Sequence, residues 1–302
     1  MSNQTLYVGD AGSRLKQLPA KSVQLVVTSP PYWCIKDYDH PGQIGHQDSY
    51  DEYLQRLNEV WKGCARVLEP GCKIAINVGD QFLRARDHGT YRIQPIHADI
   101  IHQFSKMKGF IYLGGIIWKK VTTTNTTGGC SWMGSIYHPR DGYVTFEHEF
   151  ILLFKKAGKA KRPPLEIREK SKLTKKQRSE WFRGVWGLTP SRQKDHPATF
   201  PVELPERLIR MFTFSGETVL DPFVGSGTTL VAAENAGRCG IGVELNPEFV
   251  SICRSRAANV RIVGVDDGKE KHTAEPGSQS AQPKSSAYPR APHGPDLNAA
   301  AT

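Results

Sequence analysis

Residues 218–244 read TVLDPFVGSGTTLVAAENAGRCGIGVE. Thr218 to Asp221 is a short strand closed by an acid. Phe223-Val224-Gly225-Ser226-Gly227 is a tight turn, because glycine bends sharply and lets a ligand approach the main chain. Thr228 to Ala236 has a helical pattern and stops at Gly237, a residue suited to a left-handed cap. Cys239 to Leu245 is the next strand, with Glu244 near its end. Asn246 or Pro247 then opens a helix to about Ala258. Two strands joined through a helix are the repeating unit of a doubly wound α/β sheet.

The same alternation holds upstream. Val23 to Thr28 is an apolar run that ends at Ser29-Pro30-Pro31, because proline supplies no ladder N–H. A helix is expected from about Tyr50 to Leu68. Ser49 and Glu52 have capping-box spacing, and Leu54, Leu57, Trp61, Cys64 and Leu68 recur at helical intervals. Pro70-Gly71 stops it. Lys73 to Val78 reads as a strand, and Pro95 opens a helix through about Met107. Phe110 to Trp118 and Glu149 to Phe154 read as further strands, separated by a Thr-, Gly- and Asn-rich loop. Pro205 to Phe212 is helical in pattern. The expected fold class is therefore α/β, a doubly wound, mostly parallel sheet over residues 1–265. Residues 266–302 are rich in Gly, Pro, Ser and Ala, too poor in large apolar groups to offset ordering entropy, and are expected to be a disordered tail.

The chain has 302 residues, enough for a substantial core. No apolar run approaches the ~20 residues of a membrane span, and no basic segment followed by an apolar stretch marks a secretory signal. The six cysteines lack C-x-x-C spacing, so neither a zinc site nor a redox pair is indicated. Dispersed thiols fit a reducing compartment, and a cytoplasmic location is expected. The net charge of +10 is concentrated in 155–183, where twelve Lys or Arg face three Glu. Such a block is either a polyanion-binding surface or a solvated charged loop.

The glycine turn and Glu244 together suit an adenosine ligand, since an acid at the next strand end accepts hydrogen bonds from ribose hydroxyls. A dinucleotide motif would have a third glycine where Leu230 stands, and a phosphate loop would have lysine after Gly227. Asp221 beside the turn repels a pyrophosphate and suits an α-amino group and a sulfonium. S-adenosylmethionine fits those demands better than a nucleotide; an ordinary strand–helix turn is the alternative.

Thr28-Ser29-Pro30-Pro31-Tyr32-Trp33 suits a different task. An exocyclic base amine is a poor nucleophile, because its lone pair is delocalised into the ring. Ser29 Oγ and the Pro30 carbonyl can accept from its two N–H bonds and localise that pair. Pro31 stiffens the segment. Tyr32 offers a stacking face, worth ~1–3 kcal/mol per base, which offsets the cost of turning a base out of the duplex. A bare polyproline turn is the alternative. Trp118 can line a base pocket or be a core aromatic. His148 and Glu149 can be acid–base partners or satisfied polar groups at a strand start.

Taken together, the two motifs resemble those of the β-group amino-methyltransferases of DNA, permuted enzymes in which the catalytic motif precedes the cofactor motif. Ser29-Pro30-Pro31-Tyr32 is similar to their catalytic motif, and Asp221-Pro222-Phe223-Val224-Gly225-Ser226-Gly227-Thr228 to their cofactor turn. Glu244 falls at the family's ribose-binding acid. His196-Pro197-Ala198-Thr199-Phe200-Pro201 resembles the segment that holds the cofactor's methionine end, and Tyr7-Val8-Gly9-Asp10 the strand whose Asp lies near the adenine. The resemblance covers about residues 5–260.

It implies a Rossmann-like class I methyltransferase fold, S-adenosylmethionine as cofactor and double-stranded DNA as substrate. It implies no metal. The cofactor-binding set is Asp10, Thr199, Phe200, Asp221, Pro222, Phe223, Gly225, Ser226, Gly227, Thr228 and Glu244. Serine at position 29 and the Phe200-Pro201 ending resemble the cytosine-N4 type, with adenine N6 as the alternative. Segments 119–147 and 155–185 lie where the family places DNA recognition, which puts Arg140, Lys161, Arg162, Lys175, Lys176 and Arg178 forward as phosphate or base contacts. A homodimer and a cognate restriction endonuclease are further expectations. RNA or protein-amide methylation uses similar pocket chemistry. A non-enzymatic nucleic-acid-binding protein would be expected to show damaged motifs, whereas these are intact.

Overall fold

The computed structural model describes residues 3–34, 36–120, 140, 144, 147–189, 200–257 and 260–264. The elements run β1 (Gln4–Val8), α1 (Ala11–Gln17), β2 (Val23–Thr28), α2 (Tyr50–Val67), β3 (Leu68–Val78), β4 (Gln81–Leu83), α3 (Ala85–His88), β5 (Arg92–Gln94) and α4 (Ile96–Lys106). Then come β6 (Phe110–Lys119), β7 (His148–Lys156), α5 (Leu165–Lys170), α6 (Lys175–Trp181), β8 (Val185–Trp186) and α7 (Glu203–Phe212). The chain continues through β9 (Thr218–Asp221), α8 (Thr228–Asn235), β10 (Cys239–Glu244), α9 (Pro247–Arg256) and β11 (Val260–Val263). The tail expected at 266–302 lies outside the described residues.

One nine-stranded sheet has the order β11-β1-β10-β9-β2-β3-β7-β6-β8, and β4 pairs separately with β5. The pairs from β11 through β3 are all parallel. β2 shows why. Val23, Leu25, Val26 and Val27 are all buried, which is the signature of a strand covered on both faces. Val26 packs with α1, α2 and α4 in one core, through Leu15, Leu57, Trp61 and Ile100. Leu25 and Val27 enter the opposite core with α7 and α8, through Leu208, Ile209 and Ala233.

The expected helices are present, and their ends follow local chemistry. Ser49 and Glu52 form the anticipated capping box at α2. Trp61 on α2 meets Phe223 edge-on with centroids 6.2 Å apart, which ties this helix to the glycine turn. The sheet differs from a wholly parallel one at β7, which is antiparallel to both β3 and β6. Adjacent strands joined at one end must oppose each other, and an apolar run carries no record of its direction. The basic block, read only as charge, contains α5 and α6, and β8 follows it. Thr174 and Gln177 form a capping box at α6, a signal present in the sequence beneath the charge.

Gly227 caps α8 at φ +83°. A Cβ there would lie 2.6 Å from Cys253 Sγ on α9. Strain and overlap together should make Gly227→Ala cost about 2–4 kcal/mol, a fall of roughly 5–15 °C in melting temperature. Adding Cys253→Ala should recover only part, because the backbone conformation stays unfavourable. An unchanged melting temperature for the single variant would show that the turn is not locked in this way.

Candidate active site

β2 and β9 are hydrogen-bonded neighbours, with Leu25 opposite Val219 and Val26 opposite Leu220. From β2 the chain proceeds to β3 on one side, and from β9 to β10 on the other. A gap therefore opens at their carboxyl ends, the place where open α/β sheets bind ligands. The Ser29-Pro30-Pro31 and Pro222-Phe223 loops both start there. They line one cleft of about 900 Å³, mouth included, with Gly9, Asp10, Gly225 and Glu244 among its other walls.

Asp221 sits beneath this cleft. It is buried, and its carboxylate accepts from Thr28 Oγ1 at 2.6 Å, Thr229 Oγ1 at 2.6 Å and the Phe223 N–H at 3.0 Å. Burial nevertheless raises its pKa to about 6, against the lowering effect of those three donors. Asp221 does not line the cleft; it fastens both loops from below. Gly227 is likewise absent from the wall and shapes the turn from behind. Pro222, Phe223, Gly225, Ser226 and Thr228 do line it.

Glu244 closes β10 and is nearly buried. Its two oxygens accept from the N–H of Gly225 at 2.9 Å and of Asn246 at 2.8 Å. Each retains capacity for another donor. Burial raises its pKa to about 7, despite the opposing backbone N–H groups. Asp10, on the neighbouring turn, caps α1 by accepting from Ser13 N at 2.8 Å. Phe200 lines the cleft, whereas Thr199 and His196 lie outside the described residues.

Tyr32 is more constrained than a free stacking platform. Its hydroxyl donates to Glu149 Oε1 at 2.8 Å. Glu149 is buried, also accepts from Asn77 Nδ2 at 2.7 Å, and pairs with Lys120. Burial, then the charge of Glu149, holds the Tyr32 phenol well above its ordinary pKa, while a hydrogen bond from the Ser29 side chain opposes this. The Pro31 carbonyl already accepts from Tyr53 OH at 2.9 Å. No hydrogen bond among the described residues occupies the Pro30 carbonyl. Trp118 is a core aromatic, buried with its Nε1 donating to Leu188 O at 2.9 Å.

The residues put forward for DNA contact do not gather at the cleft. Lys161 N–H donates to Glu69 Oε1, and Glu69 Oε2 accepts from Gln24 at the opposite end of β2. Arg162 follows Lys161 on that rim. Lys175, Lys176 and Arg178 lie on α6, with Arg178 stacked 4.1 Å over Phe182. Arg140 is exposed at φ +82°. The sequence reading missed Tyr38, whose carbonyl accepts from Asn246 Nδ2 at 2.8 Å, and Phe249; both line the cleft. Asn246 followed by proline marked a helix cap, but nothing in the sequence paired it with a loop 208 residues away. No group of three His, Cys, Asp or Glu able to hold a metal occurs among the described residues.

Residues 23–255 match the family model described as DNA methylase, of the N6/N4 methyltransferase type. Type II methyltransferase M.MjaI of Methanocaldococcus jannaschii is 34% identical over 88% of this chain and 95% of its own length. Type II methyltransferase M.Cfr9I of Citrobacter freundii is 32% identical over 85% and 88%. TTHA0409 of Thermus thermophilus, solved with S-adenosyl-L-methionine, is 39% identical. It superposes with a TM-score of 0.69 over 86% of this chain and 99% of that one. The cytosine-N4-specific PvuII DNA methyltransferase, at 22% identity and a TM-score of 0.64, covers 85% of this chain and 86% of its own and shares the fold. With both motifs on one rim and this similarity along most of its length, the chain belongs to the DNA methylase family.

Proposed function

We propose that this methylase transfers a methyl group from S-adenosylmethionine to the exocyclic N4 of cytosine within a specific duplex sequence, taking the target base out of the helix. The carrying observation is the Thr28–Asp221 hydrogen bond, which brings Ser29-Pro30 and Pro222-Phe223 to one cleft. The cofactor fits the residues present. Glu244 is a buried carboxylate with acceptor capacity left for two ribose hydroxyls, and Asp10 and the Phe223–Thr228 turn complete that wall. S-adenosylmethionine supplies a methyl carbon already activated by its sulfonium, so transfer calls for alignment more than acid catalysis; alignment contributes ~7–11 kcal/mol.

The chain's own groups prepare the amine. Tyr32 donates to Glu149 at 2.8 Å, which holds its ring beside the Ser29-Pro30 loop. Ser29 Oγ carries two lone pairs and can accept from one N–H of the amine. The open Pro30 carbonyl accepts from the second N–H. After transfer the nitrogen is cationic and releases its proton to Ser29 Oγ or to water. Lys120 and Asn77 hold the Glu149 carboxylate in place against the Tyr32 hydroxyl. Serine at position 29 favours cytosine N4 through the family resemblance; adenine N6 is the second reading, because the same acceptors suit that amine. A cognate restriction endonuclease would fit the Type II relatives.

Incubation with DNA and cofactor, followed by nucleoside mass spectrometry, should yield N4-methylcytosine. Ser29→Ala and Glu149→Gln should each lower kcat by about tenfold or more, with cofactor affinity changed less than about twofold. N6-methyladenine as the sole product would overturn the base assignment, and equal losses of cofactor binding would overturn the roles.

The two raised carboxyls set a pH dependence. A folded-state pKa of about 6 for Asp221 and about 7 for Glu244 means that the neutral forms favour the fold. That stability is complete below the ordinary carboxylate range and is lost as pH rises through 6 to 7. Ribose donors prefer the Glu244 carboxylate, so cofactor affinity should rise with pH through about 7. Calorimetric titration should give a Kd several-fold weaker at about pH 5.5 than at pH 8, with a larger ligand-induced rise in melting temperature at pH 8. A flat Kd would remove Glu244 from the ligand.

A further inference from the structure

We infer that the exposed basic arm at residues 159–176 is a second DNA-phosphate surface, which holds a stretch of duplex other than the one whose base enters the cleft. This rests on the methylase reading for the identity of the polyanion. Its position comes from the fold alone.

The arm leaves β7 after Lys156, where Lys155 pairs with Lys73 at the lower part of β3. Lys161 N–H donates to Glu69 Oε1 at 3.2 Å. Glu69 Oε2 accepts from Gln24 Nε2 at 2.9 Å, and Gln24 Oε1 accepts from Thr218 N at 3.0 Å. Gln24 and Thr218 stand at the first ends of β2 and β9, whereas the cleft opens at their last residues, Thr28 and Asp221. Further along, Ser171 Oγ accepts from Ser215 N at 2.8 Å, just before β9 begins. The arm therefore lies on the opposite rim of the sheet, about 17–20 Å of strand away. A duplex seated over the cleft faces away from it.

The arm is anchored and uncompensated. A Cβ on Gly158 would meet Pro70 Cβ at 2.7 Å, so the chain is pressed against the start of β3. The Thr174–Gln177 capping box fixes the entry to α6. On that base Lys159, Lys161, Arg162, Lys170, Lys175 and Lys176 are all exposed. Residues 159–176 hold eight Lys or Arg and two Glu. Among the described residues, one of the eight has a carboxylate partner, Lys172 with Glu169. Flexible ammonium groups in such numbers attract phosphate without reading bases. The polymer this family methylates is long, so one enzyme molecule can engage two of its segments.

The test compares the full-length chain with a charge-reversed variant, K161E/R162E/K170E/K175E, and with the milder set in which the same four residues become Gln. Matched melting temperatures establish folding. Anisotropy of a labelled duplex of arbitrary sequence should show at least tenfold weaker binding at low salt for the reversed variant. The slope of log affinity against log salt should fall by about 3–4, or ~0.9 per lost phosphate contact. The Gln set should move in the same direction. Methyl transfer to DNA sheared to very short fragments should stay within about twofold of the parent, while the lower KM of intact plasmid should vanish. Unchanged duplex binding would show that the arm does not hold DNA. Equal loss on fragments and plasmid would place it on the same duplex as the cleft, which overturns the second-surface reading. A parent chain that methylates no DNA would refute the methylase reading, while the binding measurement would still decide the arm.

Discussion

The hydroxyl of Thr28 donates to Asp221 at 2.6 Å across the junction of β2 and β9, and the geometry of the cleft follows from that bond. Asp221 is a buried carboxylate, costly unless its lone pairs are used. Thr28, Thr229 and the Phe223 N–H use them, and each belongs to a different segment: the end of β2, the start of α8 and the turn between. The desolvation cost of one side chain thereby enforces the meeting of two motifs 193 residues apart. Phe223 is held again from the other side by Trp61 of α2. The cleft is built by the core below it rather than by its own walls.

A second buried acid does the same for the reacting group. Glu149, at the start of the antiparallel strand β7, takes donors from Tyr32, Asn77 and Lys120. It aligns the Tyr32 hydroxyl beside the Ser29-Pro30 loop. Gly79 makes room, since a Cβ there would come within 3.1 Å of Glu149 Cγ. The strand that breaks the parallel pattern is thus the one that carries this carboxylate to the catalytic loop.

Much of this was readable in the residues. Alternating apolar runs, capping boxes and the glycine turn carry the parallel core, because local chemistry and burial on both faces act within a few residues. The two motifs and Glu244 were readable for the same reason. What escaped depends on long-range pairing. The bonds of Asp221 to Thr28 and Thr229 form only in the folded sheet. Tyr38 has no local signature, and Glu149 as a partner of Tyr32 requires the antiparallel return of β7. The basic block announced its charge but not its side of the molecule, which is set by Lys161 meeting Glu69 and Ser215 meeting Ser171.

The Ser29-Pro30 and Pro222-Phe223 loops face each other across one cleft. A crystal structure with S-adenosylhomocysteine tests it most directly. The ribose hydroxyls should rest on Glu244, and the sulfur should point toward Ser29 and Pro30, about 5–8 Å from Ser29 Oγ, leaving space for one methyl group and one nitrogen. A sulfur directed away from the Ser29-Pro30 loop, or an adenosine seated away from Glu244, would contradict the account.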